Sequence, residues 1–498
     1  MSVSASNSVS TAAESSFTKI EAHSIDFVPE AERVARLSSQ GPFWFLGNFH
    51  FFTVSIGFVG PSIGLSAFWT TIAGALGILF GTLFMAFHGA QGPAMGLPQM
   101  IQSRAQFGYR GVVLALFATM LVFLGFNVVN ISLITGGLGR VFGTNSSLVS
   151  VVAVVIGATL AIYGHDFMHK AFRWALIVTL PLYAIVTVGL VLGSGQSSTD
   201  VKQVLDFSWV GFATLFAIGA SYNISYAPYV SDYSRYLPKE TSQTKLVTIV
   251  ALGASLSGTW MIGLGAWLSE KLNATDPLVA FDQIGSSILP GLGNVLVVVS
   301  VLGFLPIIAL NTYSAMLTLL TGIDSFKTIK RSAKNRVMAI LMISAIILVC
   351  VLSIVGDGIA LLSTFLVVLL YFLVPWTAVN LVDYFFVRKG MYALPDFFTP
   401  TGIYGAWQFR GIAAYLFGFI AMIPFFCIIN TADGQEVFVG PVARMLGGVD
   451  LAWLVGLTVS GLSYWVFSRS LDLDHEKRVI DALAETAPEM AVRAQAVQ

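Results

Sequence analysis

Residues 221–238 read SYNISYAPYVSDYSRYLP and follow directly on VGFATLFAIGA at 210–220. The first run has the composition of half a membrane helix. Then leucine and valine give way to tyrosines, serines and an amide, followed by a proline, an acid and an arginine. Hydrocarbon offers no water to satisfy peptide groups, so irregular polar backbone at that depth belongs inside protein or beside a water-filled cavity. Residues 221–229 are therefore expected to be the unwound middle of a discontinuous helix. Its side chains and free carbonyls would face a ligand instead of lipid.

The rest of the chain supports a membrane setting. Of 498 residues, 56% are hydrophobic and 10% charged, with mean hydropathy +0.80. Soluble domains carry about 25% charged residues, which excludes that class. Repeated apolar runs of about 20 residues indicate an all-α polytopic membrane protein; a barrel would alternate over segments of about ten. About twelve transmembrane helices are expected at this helix length: 43–67, 68–88, 112–138, 148–163, 171–193, 210–230, 246–268, 293–320, 337–353, 358–387, 411–429 and 451–468. With the N-terminus inside, 22 of the 26 Lys and Arg fall on inner segments; only Arg140, Lys202, Lys271 and Arg444 fall outside. This bias predicts a multi-pass protein of the plasma or bacterial inner membrane with both termini cytoplasmic. Residues 1–40 and 471–498 read as solvated cytoplasmic tails flanking a transmembrane domain at 41–470. The zero net charge suggests no nucleic-acid partner. Cys350 and Cys427 lie in apolar runs and form neither a disulfide framework nor a metal site. No metal or cofactor is expected.

Two spans are interrupted. Besides the sixth, span one (FWFLGNFHFFTVSIGFVGPSIGLSAF, 43–68) contains SIGFVGPSIG at 55–64, so unwinding is expected around Ile56, Gly57, Gly60 and Pro61. Interruptions five helices apart are the pattern of an inverted repeat with a central binding site; packing kinks at small residues are the plainer alternative.

Four stretches carry a family resemblance: GLPQMIQSRAQFGYRG (96–111), APYVSDYSRYLP (227–238), LNTYSA (310–315) and PWTAVNLVDYFFVRKG (375–390). Together they resemble the nucleobase–cation symporter-1 family, most closely its purine–cytosine permease branch, over about residues 40–468. The resemblance implies a five-plus-five inverted repeat of the leucine-transporter type, with repeats at about 41–195 and 205–390 and two extra helices at 408–468. It also implies import of a small planar heterocycle, a nucleobase or a relative, by a chain expected to act as a monomer. The family places substrate between spans one, three, six and eight. Its aromatic-then-amide pair in span three matches Phe123 and Asn127, which share a helix face. Span six matches at Asn223, Ser225 and Tyr226, with Tyr222 or Tyr226 supplying the stacking ring. Span eight matches at Asn311. Asn130 is expected to be structural. The residue types suit the cargo, since rings stack on a planar base for about 1–3 kcal/mol and amides pair with its edge.

Sodium-coupled members use backbone carbonyls at the span-one break and a Ser/Thr pair before the span-eight asparagine. Leu305 and Pro306 stand at those positions here and offer no hydroxyl, which favours a proton as the coupling cation. His50 is the candidate proton group because histidine titrates near neutral pH. Asp232 with Arg235, and Asp383 with Arg388, read as inner-gate pairs or topology anchors; Glu270 and Asp276 read as solvated. Sodium-coupled or facilitative carriage of a hydantoin or pyrimidine vitamin precursor is the alternative, and a non-transporting nutrient sensor is a third reading. An enzyme would need a nucleophile and base or a metal cluster at depth, and His165 and His169 lie in a basic loop with no third ligand. A channel would show polar stripes or rings of like charge; here polarity is concentrated at one depth.

Overall fold

The structure is a computed structural model that describes residues 25–163, 165–195, 205–327, 329, 332–353, 358–431 and 433–495. Among these, eight helices are long and apolar enough to cross a membrane, and a bent pair, Leu37–Asn48 with Phe51–Ser62, makes a ninth. Three shorter apolar helices, Trp209–Ile224, Phe409–Phe425 and Ala452–Ser468, complete the set. Each of the twelve anticipated stretches holds one of these elements. Span two (Ala67–Gly89) packs on span six at glycines: a Cβ on Gly77 or Gly81 would overlap the carbonyls of Phe216 or Ala220. Lipid tails give no hydrophobic drive between helices, so such close approach supplies the packing energy.

Span one is broken, but not where the glycines and proline suggested. The helix Phe51–Ser62 runs unbroken through Ile56, Gly57, Gly60 and Pro61. Its glycines serve packing instead. A Cβ on Gly57 would overlap Ile262 O and stand 2.5 Å from Ala266 N, and one on Gly60 would overlap Thr70. Pro61 sits in the last turn, where it ends the helix without opening its middle. The 48° bend falls at Phe49 and His50. His50 there is fully extended, at φ −156° and ψ 169°.

Span six is also interrupted, over a shorter segment than expected. Helix continues through Tyr222 and Asn223 to Ile224, turns occupy 225–229, and Val230–Ser234 resumes the helix. Pro228 lacks an amide and disfavours helix in the residue before it, which fixes the interruption there.

Both chain ends meet on the face where the basic residues were counted, called here the basic face, and neither described end is a free tail. Three short helices follow span two, Gln91–Met95, Gln99–Gln102 and Arg104–Phe107, and residues 25–36 dock at the end of the first: Val28 N bonds Gly96 O at 3.0 Å and Arg33 Nη1 bonds Pro93 O at 2.9 Å. Burial lowers the Arg33 pKa from its ordinary value, against the pull of Glu30 and Glu240. Residues 1–24 lie outside the description. The C-terminal segment forms the helix Leu473–Gln495, whose Val479, Ile480 and Leu483 pack on the core. On the far face, Asp276 is buried, not solvated. It caps the helix Pro277–Ile288 through the amides of Leu278 and Val279 and pairs with Arg140 at 2.6 Å. Burial raises its pKa despite those contacts. Glu270 is exposed, as expected, and accepts a bond from Ala67 N. The anticipated end of span eleven is instead a strand, Cys427–Ile429, paired antiparallel with Glu436–Val439.

Candidate functional site

The break in span one exposes the carbonyl of Gly47, which in a continuous helix would accept from the Phe51 amide. Side chains take over. His50 Nε2 lies 2.8 Å from Gly47 O, Tyr226 OH donates to it at 2.6 Å, and Tyr222 OH stands 3.4 Å away. Tyr222 OH also meets Thr53 Oγ1 at 3.0 Å, Tyr226 OH at 3.1 Å and His50 Nε2 at 3.2 Å. The two interrupted spans are thus tied together at mid-depth by one hydrogen-bonded knot.

Beside this knot lies a small chamber between spans one, three, six and eight. Span one contributes Phe43, Trp44, His50 and Phe52, and span three contributes Phe126 and Asn130. Span six adds Tyr222, Tyr226 and Tyr229, and span eight adds Phe304, Ile307, Leu310 and Asn311. Its free volume is about 20 Å³, room for a single water-sized group. A heterocycle therefore enters only if side chains swing aside. Rings flank it on two sides. Phe365 of span ten meets Phe126 edge-on at 5.1 Å on one side, and Ser221 Oγ bonds Leu366 O beside it. Phe43 and Trp44 meet Tyr233 at 4.8 and 5.9 Å on the other.

Of the seven anticipated substrate contacts, Tyr222, Tyr226 and Asn311 line the chamber. The other four do not. Asn127 donates to Ile308 O at 3.1 Å and Thr312 Oγ1 at 3.0 Å and accepts from Asn311 at 3.1 Å, so its amide is spent between helices. Phe123 packs on Tyr229 at 4.9 Å. Asn223 links Asn48 and Thr82, and Ser225 bonds its own helix at Tyr222 O. The aromatic-then-amide spacing recurs three residues on, as Phe126 and Asn130, and that pair faces the chamber. Asn130, expected to be structural, has both amide atoms buried and without a partner among the described residues. Trp44 was not anticipated; the aromatic run FWFLGNFHFF was its only signal.

Asn127 also orients Asn311. Its nitrogen is committed to two acceptors, so its oxygen must accept the Asn311 amino group. The Asn311 carbonyl oxygen is left for the chamber.

Beneath the chamber, buried polar side chains form a chain across the basic face. Asp232 accepts from Gln99 N at 2.9 Å, Gln99 bonds Gln91 at 3.2 Å, and Gln91 bonds Asn380 at 2.8 Å. Asn380 bonds Gln106 at 3.3 Å, and Gln106 bonds Asp383 at 2.6 Å. Asp383 and Arg388 pair at 2.5 Å, and Arg388 also grips Glu476 of the C-terminal helix at 2.8 and 3.0 Å. Burial alone would lower the Arg388 pKa, but Asp383, Tyr464 and Glu476 outweigh it and hold the value well above the ordinary one. Arg235 donates to Asp26 O and to Tyr236 OH. Arg104 clamps the same loop to Asp324 at 3.2 Å and to Phe397 O at 2.8 Å; burial lowers its pKa, against Tyr109 and Asp324.

Known proteins resemble the chain throughout. Residues 27–456 match the family described as permease for cytosine/purines, uracil, thiamine, allantoin. YxlA of Bacillus subtilis (strain 168), assigned by name to the purine-cytosine permeases, is 34% identical over 91% of this chain and 96% of its own. The purine-cytosine permease fcyB of Emericella nidulans is 24% identical over 89% and 87%. Among solved structures, Mhp1, a nucleobase-cation-symport-1 family transporter in a closed conformation with bromovinylhydantoin bound, superposes with a TM-score of 0.71 at 19% identity over 92% of this chain and 98% of its own. A Na+-coupled sialic acid symporter does so at 0.59 and 11% over 89% and 91%. The interrupted spans, the chamber between them and these likenesses agree: the chain belongs to the nucleobase–cation symporter-1 family of membrane transporters and is not an enzyme.

Proposed function

We propose that this protein imports a nucleobase, cytosine or a purine, or a closely related planar heterocycle across the cell membrane by alternating access, coupled to protons. It works as a monomer with both termini in the cytoplasm. The observation that carries the reading is Asn130. A buried amide with neither atom paired among the described residues is costly, and here it lines a chamber walled by rings, to which Asn311 also contributes. An edge carrying adjacent donor and acceptor groups satisfies both amides, while the rings cover its faces. Proton coupling draws support from span eight, where buried Leu305 and Pro306 occupy the positions of the hydroxyl pair in sodium-coupled relatives.

Uptake into proteoliposomes tests this. Cytosine, adenine, hypoxanthine and a hydantoin are each offered under a proton gradient and under a sodium gradient, with binding measured in parallel. The expected result is saturable uptake of at least one nucleobase without sodium, abolished by Asn311→Ala. Binding without uptake would make the protein a sensor, and strict sodium dependence would reject proton coupling.

A further inference from the structure

We propose that His50 carries the coupled proton, taking it on Nδ1 inside the chamber at the moment a heterocycle is bound there. The inference rests on the transport reading above and names the group that couples it.

Geometry assigns the roles of the two ring nitrogens. Gly47 O is an acceptor only, so at 2.8 Å the His50 Nε2 must be the donor. In the neutral ring Nδ1 then holds a lone pair. That atom is buried and has no partner among the described residues, on a residue that lines the chamber with Asn130 and Asn311. The extended backbone of His50 at the span-one break holds the imidazole there, outside any regular helical turn. Nε2 is tethered, and Nδ1 keeps its lone pair.

The lining residues include no competing ion. Span six contributes Tyr222, Tyr226 and Tyr229 to the lining; spans three and eight offer Phe126, Asn130, Phe304 and Asn311. Span one itself adds Thr53, bonded to Tyr222. No carboxylate, lysine or arginine is among the lining residues. Asp232 lies beyond the span-six interruption and bonds the loop at Gln99.

An imidazolium formed there has no counter-ion, and an uncompensated buried charge is strongly disfavoured. Gly47 O and the Tyr222 hydroxyl at Nε2, and the Phe304 ring centred 4.8 Å away, offer only dipolar attraction. A carbonyl oxygen or ring nitrogen of a bound heterocycle changes this, because protonated Nδ1 becomes a donor aimed at it. Proton and heterocycle therefore bind each other's complex more tightly than the empty site, and the linkage is reciprocal. The loaded carrier crosses with both, and the empty carrier returns with a neutral ring. Release to the second face returns the proton from Nδ1 to water as the heterocycle leaves.

Two measurements test the assignment with radiolabelled cytosine and adenine as probes. In wild-type protein in detergent, calorimetry in buffers of different ionisation enthalpy should show uptake of up to one proton per ring bound near neutral pH. In sodium-free proteoliposomes, an inward proton gradient should concentrate the probe above equilibrium. His50→Gln keeps an amide donor for Gly47 O but cannot titrate. Its probe affinity should become independent of pH between about 5 and 8, spanning the ordinary histidine range. Its gradient-driven accumulation should fall at least tenfold, to the equilibrium level. Wild-type binding without proton uptake, or an unchanged pH profile in His50→Gln, would overturn the assignment and leave the transport reading standing. A wild-type protein that neither binds nor carries any panel member would overturn both.

Discussion

Asn130 and Asn127 are both buried amides on span three, yet they are in opposite situations. Asn127 makes three bonds to span eight, while Asn130 makes none. Replacing Asn130 with alanine removes an unpaired polar group, so the folded protein loses nothing it was using. The bound state does lose a donor and an acceptor, each worth about 0.5–1.5 kcal/mol. Asn130→Ala should therefore weaken nucleobase binding about 10–100-fold with no fall in thermal midpoint. Asn127→Ala should lower the midpoint as well, because it removes three bonds to span eight and releases Asn311. Paired melting and binding curves check this; a destabilised Asn130→Ala would return that residue to a packing role. The resemblance supplied a ring followed by an amide four residues later, and the chain contains that spacing twice, three residues apart. Positions three apart share nearly one helix face, so spacing alone could not say which pair meets the chamber. Tyr222, Tyr226 and Asn311 carried no such ambiguity. Asn223 was legible as an amide at depth, but its partners Asn48 and Thr82 lie more than a hundred residues away in sequence.

The same limit applies to whole elements. That spans one and six are interrupted was readable, because polar residues, glycines and a proline stand in otherwise apolar runs. The place of the span-one break was not. Gly57 and Gly60 look like helix breakers in a string of letters, but their lack of a side chain admits the backbone of Ile262 and the side chain of Thr70. The actual break at Phe49–His50 is stabilised by donors from residues 222 and 226, a long-range contact with no local signature. A prediction separates the two roles. Gly57→Ala drives a methyl into the span-seven backbone and should cost about 1–3 kcal/mol as an overpacked site, read as a lower midpoint and lower yield. Gly47→Ala, at the break itself, meets only Trp44 Cε3 at 3.5 Å and should melt near wild type. If Gly57 were a hinge in unwound chain, its alanine variant would melt normally and change only transport.

Across the whole molecule, opening the chamber to the basic face must contend with the buried polar chain from Asp232 to Glu476. Its links join the resumed half of span six, the three short loop helices, the end of span ten and the C-terminal helix. The C-terminal segment, with its acids, bases and alanines, reads as a solvated tail. What the composition hides is one buried carboxylate meeting Arg388 from 88 residues away. Glu476→Gln preserves the shape of that contact and removes its charge. Arg388 keeps Asp383 and Tyr464, so the loss should be about 1–3 kcal/mol, less than breaking an isolated buried pair. Asp383 also holds Gln106 and Tyr392, and a slackened Arg388 loosens that grip on the loop. The basic-face gate should then open more readily, and Glu476→Gln should show both a lower midpoint and a faster initial rate of release from preloaded proteoliposomes. Ending the chain before Leu473 removes the same carboxylate with the helix and should move both quantities in the same direction and at least as far. A glutamine variant that melts lower but releases at the wild-type rate would make the C-terminal helix a brace for the fold with no hold on the gate.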